Sequence, residues 1–402
     1  MMTKIFLVFM LINNFISKLY VSDIIFHMTK NEIKELLAKT LGENSEIVEP
    51  LIGGMMNVSY IVKDGSNKKY VLYIPTKHAN EMVNRPLEKE NQQIIISLGI
   101  TSKNVYFDTK TGIKINEFIE GKSLDKVANF NYDKIATLFH KLHSSIMLSR
   151  EDYGPFTRFV NEYEKEALSF QDNVSPKYKE LRDFLFEKRN YLESGEKVIC
   201  HNDAQRSNII QTPDDEYYFI DFEFVGNNDP IYDIAAFGNG VVKEGRNLLD
   251  AYFDYNPSQE KIKRYYLWRI FISLQWYNVA ISKHYHGEGK ATNFDFMMVA
   301  NHFLQNACDA FEGYKQEVKE VESKEIYDDT IKLIIETLDK VRHFLRRDGG
   351  DCEFISFEDG IVYVKMHGAC DGCALAGNDI KELVEVILQE EVPGVLEVRL
   401  AK

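Results

Sequence analysis

The sequence predicts an α+β chain in two parts, and three observations carry that reading. Over roughly residues 28–310, short apolar strands at 47–63, 70–74 and 113–118 are interleaved with helical stretches at 29–41 and 85–98. After Phe311 the composition shifts, and the charged, proline-free run 315–324 reads as a semi-rigid helical connector within 311–325. A new helical period then begins at Ile331, Ile334, Leu338, Val341 and Leu345 and leads into a small α+β unit over 326–402.

Composition bounds the function. The chain has 402 residues, 45% of them hydrophobic and 27% charged, enough to bury a sizeable core. A formal charge of −14 argues against a nucleic-acid-binding surface, which needs a basic face. The five cysteines, Cys200, Cys308, Cys352, Cys370 and Cys373, are odd in number and scattered, which suits a reducing, cytoplasmic setting better than a disulfide framework. The apolar run 5–16 resembles the core of a signal peptide but is too short to span a membrane, and no small-x-small cleavage site follows it. Residues 1–27 therefore read as a mis-called start or a disordered extension, and Thr29 with Glu32 three residues on opens a helix as a capping box.

The elements that follow place chemistry at their ends. Residues 47–63 read as strand, turn, strand, with Gly53, Gly54, Met55, Met56 and Asn57 at the turn, a loop able to cover phosphates but by itself an ordinary hairpin signal. The helix at 85–98 carries Glu88, and the strand at 113–118 ends at Asn116 and Glu117. The most telling stretch is His201, Asn202, Asp203, then Asn208, then Ile220, Asp221, Phe222 and Glu223. Phosphoryl transfer from ATP needs a carboxylate to orient the attacking hydroxyl and oxygen ligands for magnesium, and Asp203, Asn208 and Asp221 supply them in that order. Strands at 198–200, 209–210 and 217–220 would hold these groups beside solvent.

Taken with Asn84-Arg85, His143, Asn116 to Gly121, Asn228-Asp229-Pro230 and Asp233-Ile234-Ala235, residues 29–310 resemble the bacterial choline kinase branch (Lic type) of the aminoglycoside phosphotransferase and choline kinase fold. The resemblance implies a two-lobed protein-kinase-like fold using ATP and magnesium. It makes Asp203 the catalytic base and Asn208 and Asp221 magnesium ligands. Gly54, Asn57 and Glu88 fall in the nucleotide site, and Asn116 to Phe118 form the adenine hinge. One departure stands out. The family carries a lysine or arginine on the third strand, where this chain has Tyr73. Three readings stay open there: a cation reaching in from Lys77 or Arg85, weak nucleotide binding, or a domain that has lost catalysis and serves as a small-molecule-binding module.

Tyr265, Tyr266, Trp268, Trp276 and Tyr277 form an aromatic helical region, and aromatic faces attract quaternary ammonium by ~0.5 to 2 kcal/mol per ring. Trp276 matches a family position that boxes choline, and Trp276 with Tyr277 are the substrate-binding candidates. Tyr265, Tyr266 and Trp268 read as core. Asp229 and Asp233 fit either a charge near a cationic substrate or loop anchoring. His201 and Asn202 read as braces of the loop backbone, and His140 and His143 as packed or capping residues.

In the second part, two strands joined at Glu358-Asp359-Gly360 precede Gly368-Ala369-Cys370-Asp371-Gly372-Cys373, then a helix and a last strand. A lone Cys-x-x-Cys fits redox, zinc or iron-sulfur chemistry. The short unit lacks a thioredoxin-type sheet. Structural zinc wants four ligands, for which only Cys352 and His367 remain. A 4Fe-4S cubane wants about four cysteines, which two chains giving a pair each would supply. The unit resembles the C-terminal NifU-like domain of iron-sulfur scaffold proteins through Leu338-Asp339, Asp348 to Asp351, Gly368-Ala369-Cys370, Cys373 and Val392 to Val395. That resemblance implies an α-β-β-α-β fold, Cys370 and Cys373 as cluster ligands, homodimerisation on the cluster, and client apoproteins as partners. Cys352, at a usually aliphatic position, reads as a buried small hydrophobe. The whole is expected to phosphorylate choline or a related amino alcohol at one end and carry a cluster at the other, with no nucleic acid and no membrane span.

Overall fold

A computed structural model describes residues 28–51, 56–170, 174–287, 295–368 and 376–401, with side chains described throughout except at 320–325, 348 and 376–380. The chain divides into two compact units between Tyr314 and Lys315.

The first unit begins with helix α1 (Lys30–Leu41), whose Thr29 and Glu32 form the expected capping box. Strands β1 (Glu46–Leu51), β2 (Asn57–Lys63), β3 (Lys69–Pro75), β4 (Asn104–Phe107) and β5 (Lys114–Glu117) make one antiparallel sheet in the order β1-β2-β3-β5-β4. Alternation sorts its side chains. Tyr70, Leu72 and Ile74 of β3 pack with Val62, Ile115 and the α1 residues Ile33 and Leu37, which lie one turn apart. Val71 and Tyr73 face the other way, into a cavity. Helices α2 (Lys77–Met82) and α3 (Arg85–Ser97) connect β3 to β4, and Asn84 caps α3 through its side chain with Pro86 in the first turn.

Beyond a two-residue strand β6 (Lys122–Ser123), the rest of this unit is mostly helical: α4 (Tyr132–His143), α5 (Pro155–Arg158), a π-turn over Phe159–Glu164, α6 (Lys165–Ser169), α7 (Pro176–Glu187) and α8 (Arg189–Glu193). After the short strands described next come α9 (Pro230–Phe237), α10 (Val242–Tyr252) and α11 (Gln259–His286). Helix α11 is buried over most of its circumference, with Trp268 and Arg269 in the core, so it shows little amphipathic pattern.

Short strands inserted among these helices position the loops that carry Asp203, Asn208 and Asp221. β7 (Val198–Cys200) pairs antiparallel with β10 (Gly226–Asn228), and β8 (Ile209–Gln211) pairs with β9 (Tyr217–Phe219) and β6. The loop leaving β7 and the loop entering β10 therefore emerge together. Ile209 faces Phe219, and Ile220 donates its N–H to the Asn208 carbonyl at 2.9 Å, which draws Asn208 to Asp221.

Helix α12 (Phe296–Leu345) runs unbroken through 315–324, so the expected helical connector is part of one longer helix, and the division between the units falls within 311–325. In the second unit, its residues Ile334, Leu338, Val341 and Leu345 pack with β11 (Gly350–Glu358), β12 (Ile361–Gly368), α13 (Ala376–Glu391) and β13 (Glu397–Leu400). The β11–β12 hairpin closes through Asp359 (φ 49°) and Gly360 (φ 81°), both left-handed as a two-residue type I′ turn requires. β13 pairs parallel to β12. Cys352 is fully buried in this core, as expected of a small hydrophobe. No helix among the described residues is long and apolar enough to cross a membrane.

Candidate active site

A cavity of about 1030 Å³ lies in the first unit, and its walls include Asn57, Asn116, Phe118, Asp203, Asn208, Asp221 and Trp276. Asp203 is held from both sides. Its Oδ1 accepts from Gln205 Nε2 at 2.6 Å and its Oδ2 from Asn208 Nδ2 at 2.9 Å. Burial pushes the Asp203 carboxyl up to about 7; those hydrogen bonds oppose the shift and the nearby Asp221 adds to it.

The loop itself is braced by groups that do no chemistry. His201 donates from Nε2 to the Ile220 carbonyl at 2.9 Å and accepts the Asp203 N–H at Nδ1, so the ring is neutral, and burial lowers its pKa. Asn202 adopts a left-handed φ of 63°, fixed by its side-chain amide donating to the Phe224 carbonyl and by Asp233. Asp233 accepts the N–H groups of His201 and Asn202, both at 2.7 Å, and lies 3.2 Å from His143 Nε2. Asp229 caps α9 and pairs with Arg264 and with the Trp268 indole at 2.8 Å. Both acids are thus loop anchors, and Trp268 and Tyr265 are core.

The oxygen donors at this end of the cavity suit magnesium. Asn208 and Asp221 both line the cavity, and Asp221 sits at φ 66°, a strained left-handed position for a non-glycine residue. Asp221 Oδ1 and Glu223 Oε2 are buried oxygens with no hydrogen-bond partner among the described residues. Such orphans are costly unless a cation meets them, and hard oxygen donors are what magnesium takes. The residues fit the ion. Burial and Glu223 raise the Asp221 pKa, a shift that a cation would reverse.

Behind this face the charges are shut in. Glu88 accepts from Arg85 Nη1 at 2.7 Å and from Lys114 Nζ at 2.6 Å, and none of these three side chains is more than 4% exposed. Glu223 accepts from Arg85 Nη1 at 2.9 Å and from Asn57 Nδ2 at 3.0 Å. Lys77, by contrast, is exposed with Glu81 at 3.8 Å. Lys114 is the residue the sequence reading missed. Its only local sign is a lysine between Ile113 and Ile115 on a buried strand; its partners become visible only once β3 and β5 are paired.

At the end of β5, the Phe118 N–H donates to the Lys69 carbonyl at 3.1 Å and Asn116 accepts from Asn104, so Asn116 to Phe118 are fixed along the cavity wall. Trp276 stacks on Phe303 with centroids 5.8 Å apart and lines the cavity together with Tyr163, Glu162 and Glu166. Tyr277 does not: one position on along α11 turns it about 100° away, into the core, where it stacks on Tyr178 at 5.0 Å. It is removed from the substrate-binding candidates. Gly54, Cys370 and Cys373 lie outside the described residues.

In the second unit, Asp351 accepts from Arg342 Nε at 2.7 Å and Arg346 Nη2 at 3.0 Å, tying α12 to the start of β11. Those two guanidiniums hold its carboxyl well below the usual carboxylate range.

An antiparallel five-stranded sheet with a mostly helical remainder, and Asp203, Asn208 and Asp221 converging on one cavity, defines a kinase-like fold in the first unit. The family profile for Choline/ethanolamine kinase matches residues 48–266, and the chain belongs to that family. The chain is 27% identical to Protein LicA of Haemophilus influenzae over 244 residues, 56% of this chain and 88% of the relative. The crystal structure of choline kinase LicA from Streptococcus pneumoniae superposes with a TM-score of 0.55 at 27% identity, over 71% of this chain and 99% of that one. A choline/ethanolamine kinase family protein from Mesorhizobium loti, at 19% identity and a TM-score of 0.59, shares the fold over 73% of this chain and 98% of its own. The NifU-like domain profile matches residues 334–399. There the chain is 41% identical over 69 residues to the mitochondrial NFU1 iron-sulfur cluster scaffold homolog of Drosophila persimilis, spanning 17% of this chain and about a quarter, 24%, of that relative. The chain thus joins a choline kinase-like domain to a NifU-like domain.

Proposed function

We propose that the first unit transfers the γ-phosphoryl group of ATP to the hydroxyl of choline or a related amino alcohol. The observation that supports this most is the convergence of Asp203, Asn208 and Asp221 on one cavity, with orphaned carboxylate oxygens on Asp221 and Glu223. Magnesium, held by Asn208 and Asp221, would neutralise charge on the phosphates. Asp203 Oδ atoms accept the proton of the acceptor hydroxyl as it attacks, a role suited to a carboxyl whose pKa lies near neutrality. Asn57, at the start of β2, and the wall at Asn116 and Phe118 hold the nucleotide. Trp276 offers its face to the ammonium end of the acceptor, where Glu162 and Glu166 supply negative charge.

The second unit is read as carrying an iron-sulfur cluster on Cys370 and Cys373, for delivery to client apoproteins. Two cysteines are half of a cubane's ligand set, so a 4Fe-4S cluster would join two chains into a homodimer.

One preparation tests both halves. Anaerobic purification with iron and sulfide, followed by a visible spectrum and an ATP-consumption assay with choline, should give a cluster that depends on Cys370 and Cys373 and turnover that depends on choline. Absence of the cluster would remove the scaffold reading, and nucleotide or choline binding without turnover would favour a binding module.

A further inference from the structure

Four charged side chains, Arg85, Glu88, Lys114 and Glu223, are almost wholly enclosed behind the cavity, exposed by 4% or less. Burying such a cluster is a poor route to stability, because well-packed apolar residues of similar volume do as well or better. Its position beside a phosphate site gives it another use.

Lys114 is the centre of it. The pairing of β3 with β5 sets Lys114 directly opposite Tyr73, and directly opposed residues share a face of the sheet. The Lys114 Nζ lies 5.1 Å from the Tyr73 ring centroid, 2.6 Å from Glu88 and 3.7 Å from Glu223. Tyr73 lines the cavity and Lys114 stands behind it. We propose that Lys114 is the phosphate-side cation of this site, supplied from the neighbouring strand in place of a basic residue at Tyr73. It acts as a positioning residue that holds Glu88 and Glu223 behind the nucleotide.

The chain of contacts shows how it acts. Glu223 accepts from Asn57, the first residue of β2, and carries one of the orphaned oxygens beside Asp221. Glu88, gripped by Lys114 and Arg85, anchors α3 against the sheet. With Glu88, Glu223 and Asp221 ionised, Arg85 and Lys114 leave the buried set one negative charge in excess, which a divalent ion can meet. Without Lys114 the excess doubles, Glu223 loses one of its two cations, and an anionic nucleotide faces a more repulsive wall. Burial alone would lower the Lys114 pKa, yet the facing carboxylates Glu88, Glu223 and Asp221 raise it, so the ammonium stays charged.

This inference rests on the phosphotransferase reading, and the test separates the two. Calorimetric binding of a magnesium complex of a non-hydrolysable ATP analogue to the full chain, with steady-state kinetics alongside, compares wild type with four variants. Lys114→Met should weaken nucleotide binding and raise the KM for ATP by about tenfold or more, through the added negative charge behind the site, with the KM for the acceptor unchanged. Lys114→Arg should retain most of the affinity. Lys114→Met/Glu88→Gln removes one charge of each sign, so that folding survives, and should still bind nucleotide weakly. Tyr73→Lys/Lys114→Met should recover much of the loss. Wild-type affinity in the folded Lys114→Met/Glu88→Gln variant would overturn the proposal, as would a failure of Tyr73→Lys to restore what Lys114→Met removes. A wild-type chain that binds no magnesium nucleotide would overturn the phosphotransferase reading and this inference with it.

Discussion

The catalytic loop and the charge cluster behind it are neighbours in space but opposites in sequence. In the loop, Asp203 is held by Gln205 and Asn208, two and five positions away. In the cluster, Lys114 meets Glu88 across 26 positions and Arg85 meets Glu223 across 138. The loop is a local motif that strand ends display. The cluster exists only because β3 pairs with β5 and α3 packs beneath them, so the role proposed for it depends on register. A charge that looks missing along one strand can be supplied in the fold by the strand beside it.

That contrast can be broken by experiment, beginning with the loop. Asp203→Asn keeps the shape and its hydrogen-bonding neighbours but removes the proton acceptor; turnover should fall by roughly 10²- to 10⁴-fold with little change in ATP affinity or thermal stability. A large loss of stability instead would assign Asp203 to the scaffold. In the cluster the balance reverses. Glu88→Ala leaves Lys114 buried without its closest partner and should destabilise the first unit by about 3 to 5 kcal/mol, measured by chemical denaturation, because an uncompensated interior charge is worse than none. Wild-type stability would show that water or Glu223 alone satisfies Lys114.

A smaller effect is expected at the aromatic wall. Trp276→Ala should raise the acceptor KM by about 2- to 30-fold for a quaternary ammonium substrate, from ~0.5 to 2 kcal/mol of lost cation-π attraction, and leave the ATP KM alone. Tyr277→Phe, in the core, should change neither constant, and this pair separates the helix face that lines the cavity from the one that does not.

The smallest effect concerns the second unit. The folded-state pKa of Asp351 is depressed by Arg342 and Arg346, so its contribution to stability is complete above the unfolded carboxylate value near 3.9 and fades as pH falls below it. Hydrogen-exchange protection in β11 and β12 should decline between about pH 4 and pH 3, and Asp351→Asn should flatten that decline. A decline of equal size in the variant would place the titrating group elsewhere.

Much of this was legible in the sequence for physical reasons that can be named. The capping box at Thr29 and Glu32, the paired strands β1 and β2, the Asp359-Gly360 hairpin and the acids that follow β7 and β9 are set by local chemistry. Tyr277 was misplaced because adjacent aromatics on a helix look alike until the packed face is known. The charged run 315–324 is helical as expected, but the chain alone does not show that it is continuous with the helices on either side of it. Asp229 and Asp233 offered two roles each, and only the positions of Arg264 and of the His201 and Asn202 N–H groups selected anchoring. Lys114 was passed over because nothing along the chain says which strand lies beside Tyr73.

The most direct measurement is choline-dependent release of ADP by the full chain, wild type against Asp203→Asn, at saturating magnesium and ATP. Turnover that requires choline or a close amino alcohol and collapses in the variant is the predicted result. No acceptor-dependent turnover in the wild type, or equal turnover in both, would contradict it.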